Sequence, residues 1–132
     1  MTKDFEDKTL FNPPLAGAAG AVISNAEDLQ TFSRAVCTGK LLSREAFEAQ
    51  MQGEPLQGTN ALYGEGIAIA PGVCGHSGTI NGYSSDMYLF TKLNASLVID
   101  VNRLDRNNKS QSTAILEVVS KVILSELTRH GS

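Results

Sequence analysis

The spacing of apolar positions changes character near residue 61, from helical before it to alternating after it. Upstream, Leu29, Phe32 and Val36 recur at helical intervals and fall on one face. Ser24, with Glu27 three residues on, has the form of a capping box, which predicts a helix opening at Ser24. Thr38-Gly39 supplies its stop. A second, short helix is predicted from Ser43 as N-cap, with Leu42 placed to staple onto Phe47 and Glu45 favourable in the first turn. Gly53 to Asn60 reads as a loop.

From Ala61 onward, Tyr63, Glu65, Ile67 and Ile69 alternate with Gly64, Gly66, Ala68 and Ala70, which predicts one strand ended by Pro71-Gly72. Val73 to Ser77 is a second strand. Ser84 to Thr91 is a third, with Asp86, Tyr88 and Phe90 on one face and Met87 and Leu89 on the other. Thr91 to Asn94 turns the chain, and Ala95 to Val101 returns as a fourth strand whose run Leu97-Val98-Ile99 predicts cover on both faces. After a polar loop, Arg103 to Lys109, residues from about Ser112 to Thr128 carry an apolar half through Ile115, Val118, Val119, Val122, Ile123 and Leu127. Their β-branched content also suits a strand, but the length without turn signals favours a core-facing helix. At the other end, residues 1–14 close on Asn12-Pro13-Pro14 and read as an extended lead-in. Leu15 to Ile23, rich in alanine with Gly17 and Gly20, predicts a tightly packed segment. The expectation is a lead-in over 1–14 and one domain over 15–132. Its class is α+β: helices, then an antiparallel sheet of three to four strands, then a C-terminal helix.

Composition narrows the partners. The chain has 132 residues, 42% hydrophobic and 19% charged, and can bury a core without a staple. Eleven Lys plus Arg against 14 Asp plus Glu give a net charge of −3, with no basic run to meet phosphates, so no nucleic acid is expected. The stretch Gly66 to Ser85 lacks formal charge but holds five glycines, Pro71 and His76, so no membrane span is expected. The opening Met1-Thr2-Lys3-Asp4-Phe5-Glu6-Asp7-Lys8 has no apolar core of a signal peptide. Cys37 and Cys74 are too few for a disulfide framework or a Cys-rich zinc site; two free thiols are the simplest reading, and a mutual bridge the alternative.

Chemistry concentrates in Gly75-His76-Ser77-Gly78-Thr79-Ile80-Asn81-Gly82-Tyr83, where three glycines leave backbone accessible, as a strand edge facing a ligand needs. Here the chain resembles the serine β-lactamase and D-alanyl-D-alanine carboxypeptidase family, on its class C, esterase-like branch. Five pieces carry the resemblance in order: Asn12 to Gly20, Ser24 to Leu29, Gly39-Lys40-Leu41-Leu42-Ser43, Tyr63-Gly64-Glu65-Gly66, and His76-Ser77-Gly78 as the family's third active-site motif. The resemblance implies a partial β-lactamase/transpeptidase-like fold. It also implies substrate binding by His76, Ser77 and Gly78 and an oxyanion-stabilising backbone N–H at Thr79, with no cofactor and no metal. It covers Asn12 to Asn102.

Two of the family's motifs are absent. No serine stands three residues before any lysine, so there is no Ser-x-x-Lys, and the residues two after Tyr63, Tyr83 and Tyr88 are Glu65, Ser85 and Phe90, so there is no Tyr-x-Asn. Without the activated nucleophile, the chain alone is expected to be inactive. The family is one of serine hydrolases (β-lactamase, peptidase, esterase), and this chain reads as a partial domain of it: a fragment, a truncated product or a stand-alone remnant. The alternatives are a non-catalytic module for small carboxylates or peptide termini, or a dimerising interaction domain. The resemblance also implies that the family's first strand, missing here, would lie beside 95–101; that open edge is expected to be filled by a second copy or by residues 1–14. Relatives work outside the cytoplasm, so the compartment stays open.

Other candidates have simpler readings. Cys74 and His76 at i and i+2 raise a Cys–His dyad or half a metal site, but no third ligand is near in sequence, and the other histidine, His130, lies in the tail. Asp100 interrupts an apolar strand and reads as outward-facing or Arg-paired.

Overall fold

The computed structural model describes residues 7, 10, 17–20, 22–104 and 110–130. The lead-in expected over 1–14 lies almost wholly outside the described residues. Among the described residues three helices, α1 (Ala26–Cys37), α2 (Arg44–Gln50) and α3 (Gln111–His130), accompany six strands: β1 (Glu54–Pro55), β2 (Leu62–Tyr63), β3 (Ala68–Ala70), β4 (Val73–Ile80), β5 (Tyr83–Phe90) and β6 (Ala95–Val101). The strands follow chain order across one sheet, with antiparallel pairing in the registers Glu54↔Tyr63, Leu62↔Ile69 and Ala68↔Gly75. The class is α+β, as expected, with six strands rather than three to four.

The helix starts follow local capping chemistry. Asn25, not Ser24, caps α1: its Oδ1 accepts from the Asp28 amide at 3.0 Å while its Nδ2 donates to the Asp28 carboxylate at 2.8 Å. The cap is therefore Asn25, one residue later than expected, with a side-chain bond to Asp28 rather than the reciprocal backbone bond of a capping box. Gly39 ends the helix at φ 71°, and a Cβ there would lie 2.8 Å from the Phe47 ring, so only glycine fits. Ser43 caps α2 as expected, accepting from the Ala46 amide at 3.2 Å.

The expected strand over 61–70 is broken in two. The Gly64 amide donates to Ile67 O at 2.8 Å and Gly66 sits at φ 72°, so the chain reverses between β2 and β3. Gly64 has no room for a side chain, because a Cβ would lie 2.0 Å from Gln50 O. Period-two alternation runs unbroken through this reversal, which is why the pattern alone predicts one strand. The expected loop 53–60 contributes the short β1. Pro71-Gly72, with Gly72 at φ 81°, then turns β3 into β4.

Two compact units make up the chain. One spans 24–77 and 86–98. Its core is Cys37, Ile67, Cys74 and Leu89, with Val36, Met51 and Ile69 packed against them. The two cysteines form a disulfide, closing α1 onto β4 and overturning the free-thiol reading. Arg34 reinforces the arrangement, donating from Nη1 to Asn94 O at 2.7 Å and to Asn94 Oδ1 at 2.6 Å, with Asn94 left-handed at φ 49° in the β5–β6 turn. Ser33, fully buried, bonds Gln30 O and Ser96.

The other unit comprises 1–23, 78–85 and 99–132. Ser84 Oγ accepts from the buried Ser112 amide at 3.3 Å, anchoring the start of α3 to β5. Beyond that anchor, Ile115, Val118 and Val122 stand exposed, so this side of the apolar half is not core as expected. Helix α3 continues through His130, which the sequence places in the tail. The packed segment expected at 15–23 is likewise open where described: Val22 and Ile23 are 86% and 90% exposed. On β6, Leu97, Val98 and Ile99 are half-buried, not covered on both faces, and Asp100 is exposed. Among the described residues no helix is long and apolar enough to cross a membrane.

Candidate functional site

Strand β4 carries the motif. Its ladder with β3 runs from Val73 to Gly75 and stops there, while its other side faces β5. The segment from His76 to Ile80 therefore keeps one backbone edge outside the β3 ladder, the accessible edge that its glycines suggest. Gly75 is needed for the close approach of β5: a Cβ would lie 2.1 Å from Met87 O.

Two polar groupings flank this segment. Tyr63 and His76 pair through the phenol oxygen and Nε2 at 2.6 Å, with ring centroids 5.7 Å apart. A neutral imidazole protonated on Nδ1 accepts the phenol proton; one protonated on Nε2 donates to the phenol oxygen. Tyr63 is 41% exposed and His76 half-buried, so the pair faces solvent. The second grouping is internal. Ser77 Oγ donates to Asp86 Oδ1 at 2.5 Å and lies 3.0 Å from the Tyr88 hydroxyl. A serine hydroxyl has one proton, which goes to the carboxylate, so Tyr88 donates to Ser77. The chain Tyr88 to Ser77 to Asp86 ends on a carboxylate that is 1% exposed. Burial, the largest cause, pushes the Tyr88 phenol above its ordinary value of 10.0; the Ser77 hydrogen bond pulls it back, and the Asp86 and Tyr63 charges push the same way as burial.

These contacts define what each residue offers. Ser77 hydrogen-bonds a carboxylate and a phenol, neither an amine nor an imidazole, so its hydroxyl lacks the base a nucleophile needs. The Cys74–His76 dyad is overturned, because Cys74 is bonded to Cys37. No group of three or more His, Cys, Asp or Glu that could hold a metal occurs among the described residues. Gly78 is half-buried and Thr79 exposed further along β4. Tyr63, Asp86 and Tyr88 were not singled out from the sequence as site residues. The signal for two of them was present: a hairpin closing at Asn81-Gly82 sets Ser77 opposite Asp86, and Tyr88 shares the Asp86 face.

No protein-family model matches the chain. Fold and motif strand together are similar to part of β-lactamase/penicillin-binding-protein-like proteins. PbpX of Bacillus subtilis (strain 168), which carries a provisional name as a penicillin-binding protein, is 29% identical over 91 residues, covering 69% of this chain. A D-stereospecific amidohydrolase from Streptomyces sp. superposes with a TM-score of 0.60 at 36% identity over 69% of this chain. The D-amino acid amidase of Ochrobactrum anthropi SV3, solved with L-phenylalanine amide, superposes with a TM-score of 0.67 over 89% of the chain; at 24% identity it speaks for the fold alone. The chain spans 22% of PbpX and 29% and 36% of the two solved structures.

Proposed function

We propose that this chain is the substrate-cradling part of a serine-hydrolase-like site, carrying the third motif and no catalytic nucleophile of its own. The observation that carries the reading is the fate of the motif's hydroxyl. Ser77, the motif's serine, spends its proton on buried Asp86 and meets no basic nitrogen. With Ser-x-x-Lys and Tyr-x-Asn absent from the sequence, acyl transfer lacks both its nucleophile and its proton handler. What β4 offers is recognition: the solvent-facing imidazole of His76 and the exposed backbone edge through Gly78 and Thr79, suited to a small carboxylate or a peptide C-terminus.

Incubation with a fluorescent penicillin and with nitrocefin tests the catalytic half; no acylation and no turnover are expected, and either one overturns the reading. Titration with a D-alanyl-D-alanine peptide, followed by amide shifts, tests the binding half, with shifts expected at Ser77 and Thr79 that weaken in His76→Ala. Strand β6 is last in the sheet order and supports a second proposal: its edge over 95–101 pairs with another copy or with residues 1–14. A monomer in sedimentation combined with fast amide exchange along 95–101 would sink it.

A further inference from the structure

Tyr63 and His76 lie 13 residues apart and are brought together by the sheet. On β2, Tyr63 pairs with Glu54 on one side and Ala68 on the other, and Ala68 pairs in turn with Gly75, the residue before His76. A backbone held by partners on both sides fixes where the phenol stands, and a tyrosine has only two side-chain torsions to freeze. The 2.6 Å between the phenol oxygen and Nε2 of His76 decides which group donates. It lies below the roughly 2.7–3.2 Å of an N–H donor and within the roughly 2.5–3.0 Å that hydroxyl donors reach. Acceptor strength gives the same direction, because a bare imidazole nitrogen is a far stronger base than a phenol oxygen.

We infer that Tyr63 is a positioning residue: it holds the neutral ring of His76 in the Nδ1-protonated form, so that the ring offers a ligand an N–H donor and no acceptor. A neutral imidazole has one donor and one acceptor. Once Nε2 accepts from the phenol, Nδ1–H is what remains, and among the described residues it meets no partner in the chain. His76 then favours ligand oxygens, a carboxylate or a carbonyl, over ligand donors. Its bare nitrogen, already engaged, is not free to take a proton from a ligand. The preference for a carboxylate rests on the recognition role proposed above; the tautomer rests on the Tyr63 contact alone.

The test reads the imidazole nitrogens directly. Long-range proton–nitrogen spectra of the isotope-labelled chain separate the two neutral tautomers from each other and from the protonated ring, and His130→Asn assigns the two histidines. His76 should show Nδ1 protonated and Nε2 bare. Tyr63→Phe should lose that preference and move toward Nε2–H. Both partners reach solvent, so the missing hydroxyl strands no buried group and the variant should unfold at the same urea concentration. A D-alanyl-D-alanine peptide, titrated by amide shifts, should bind Tyr63→Phe about two- to tenfold more weakly, the scale of one neutral hydrogen bond. In a His76→Ala background the same change should alter affinity by less than about twofold, which a general loosening of the strand would not give. A ring protonated on Nε2 in the unaltered chain, a tautomer that survives Tyr63→Phe, equal peptide affinity with and without the phenol, or a loss that persists in His76→Ala would overturn the inference. If the peptide fails to bind the unaltered chain while the tautomer is as stated, the functional reading falls and the role of Tyr63 in setting the tautomer stands.

Discussion

Breaking the Cys37–Cys74 bond is the perturbation whose magnitude follows most directly from the structure. The two residues are 37 apart in sequence, and both belong to the core of the same unit. A cross-link removes loop-closure entropy from the unfolded chain, and for a loop of this length the chain-entropy relation gives roughly 4 kcal/mol. Domains of this size are stable by only about 5–15 kcal/mol, so the bond supplies a large share. The loss should lower the midpoint temperature by roughly 12–20 °C. The clean experiment compares urea unfolding of the oxidised protein, the same protein kept reduced, and Cys37→Ala/Cys74→Ala. The reduced form and the double variant should both fall by several kcal/mol. The variant should fall slightly further, because Cys37 and Cys74 are 7% and 2% exposed and pack with Ile67 and Leu89, so shortening them leaves small voids. Thiol titration of the unfolded oxidised chain should find none free. Two reactive thiols, or a stability change below about 1 kcal/mol on reduction, would refute the reasoning.

Three further outcomes follow from the β4–β5 contacts. Asp86→Ala should cost about 2–4 kcal/mol in denaturant unfolding by stranding the Ser77 hydroxyl, and Asp86→Asn, which keeps an acceptor oxygen, should recover part of it. Gly75→Ala should cost about 3 kcal/mol, because its Cβ meets backbone at Met87 O, 2.1 Å away, and the strands must part. Tyr88, held neutral by burial, titrates above its unfolded value of 10.0, so its contribution is complete below that pH and is lost as pH rises through the folded value. Alkaline unfolding followed by tyrosinate absorbance should therefore shift upward in pH in Tyr88→Phe.

Much of the fold was legible because its causes are local. Ser43 caps α2 by reaching an amide three residues on, Pro71-Gly72 turns the chain by its own backbone preferences, and β6 coincides with the apolar run it was read from. The third motif and the resemblance it carries were legible for the same reason, as a contiguous string. Tertiary contacts decided the rest. The chain reverses through Gly66 at positive φ, and Gly64 must lack a side chain because Gln50 O lies where its Cβ would be, facts invisible to alternation across 61–70. Cys37 and Cys74 bond because α1 is laid against β4, which spacing in sequence cannot foretell. Ser77, which the resemblance assigns to substrate binding, meets on β5 a buried carboxylate that its own stretch of sequence does not reveal. The sequence by itself determined the alphabet of helices, turns and strands, through interactions spanning a few residues. Only the folded sheet determined which side chains meet, since those meetings join residues far apart along the chain.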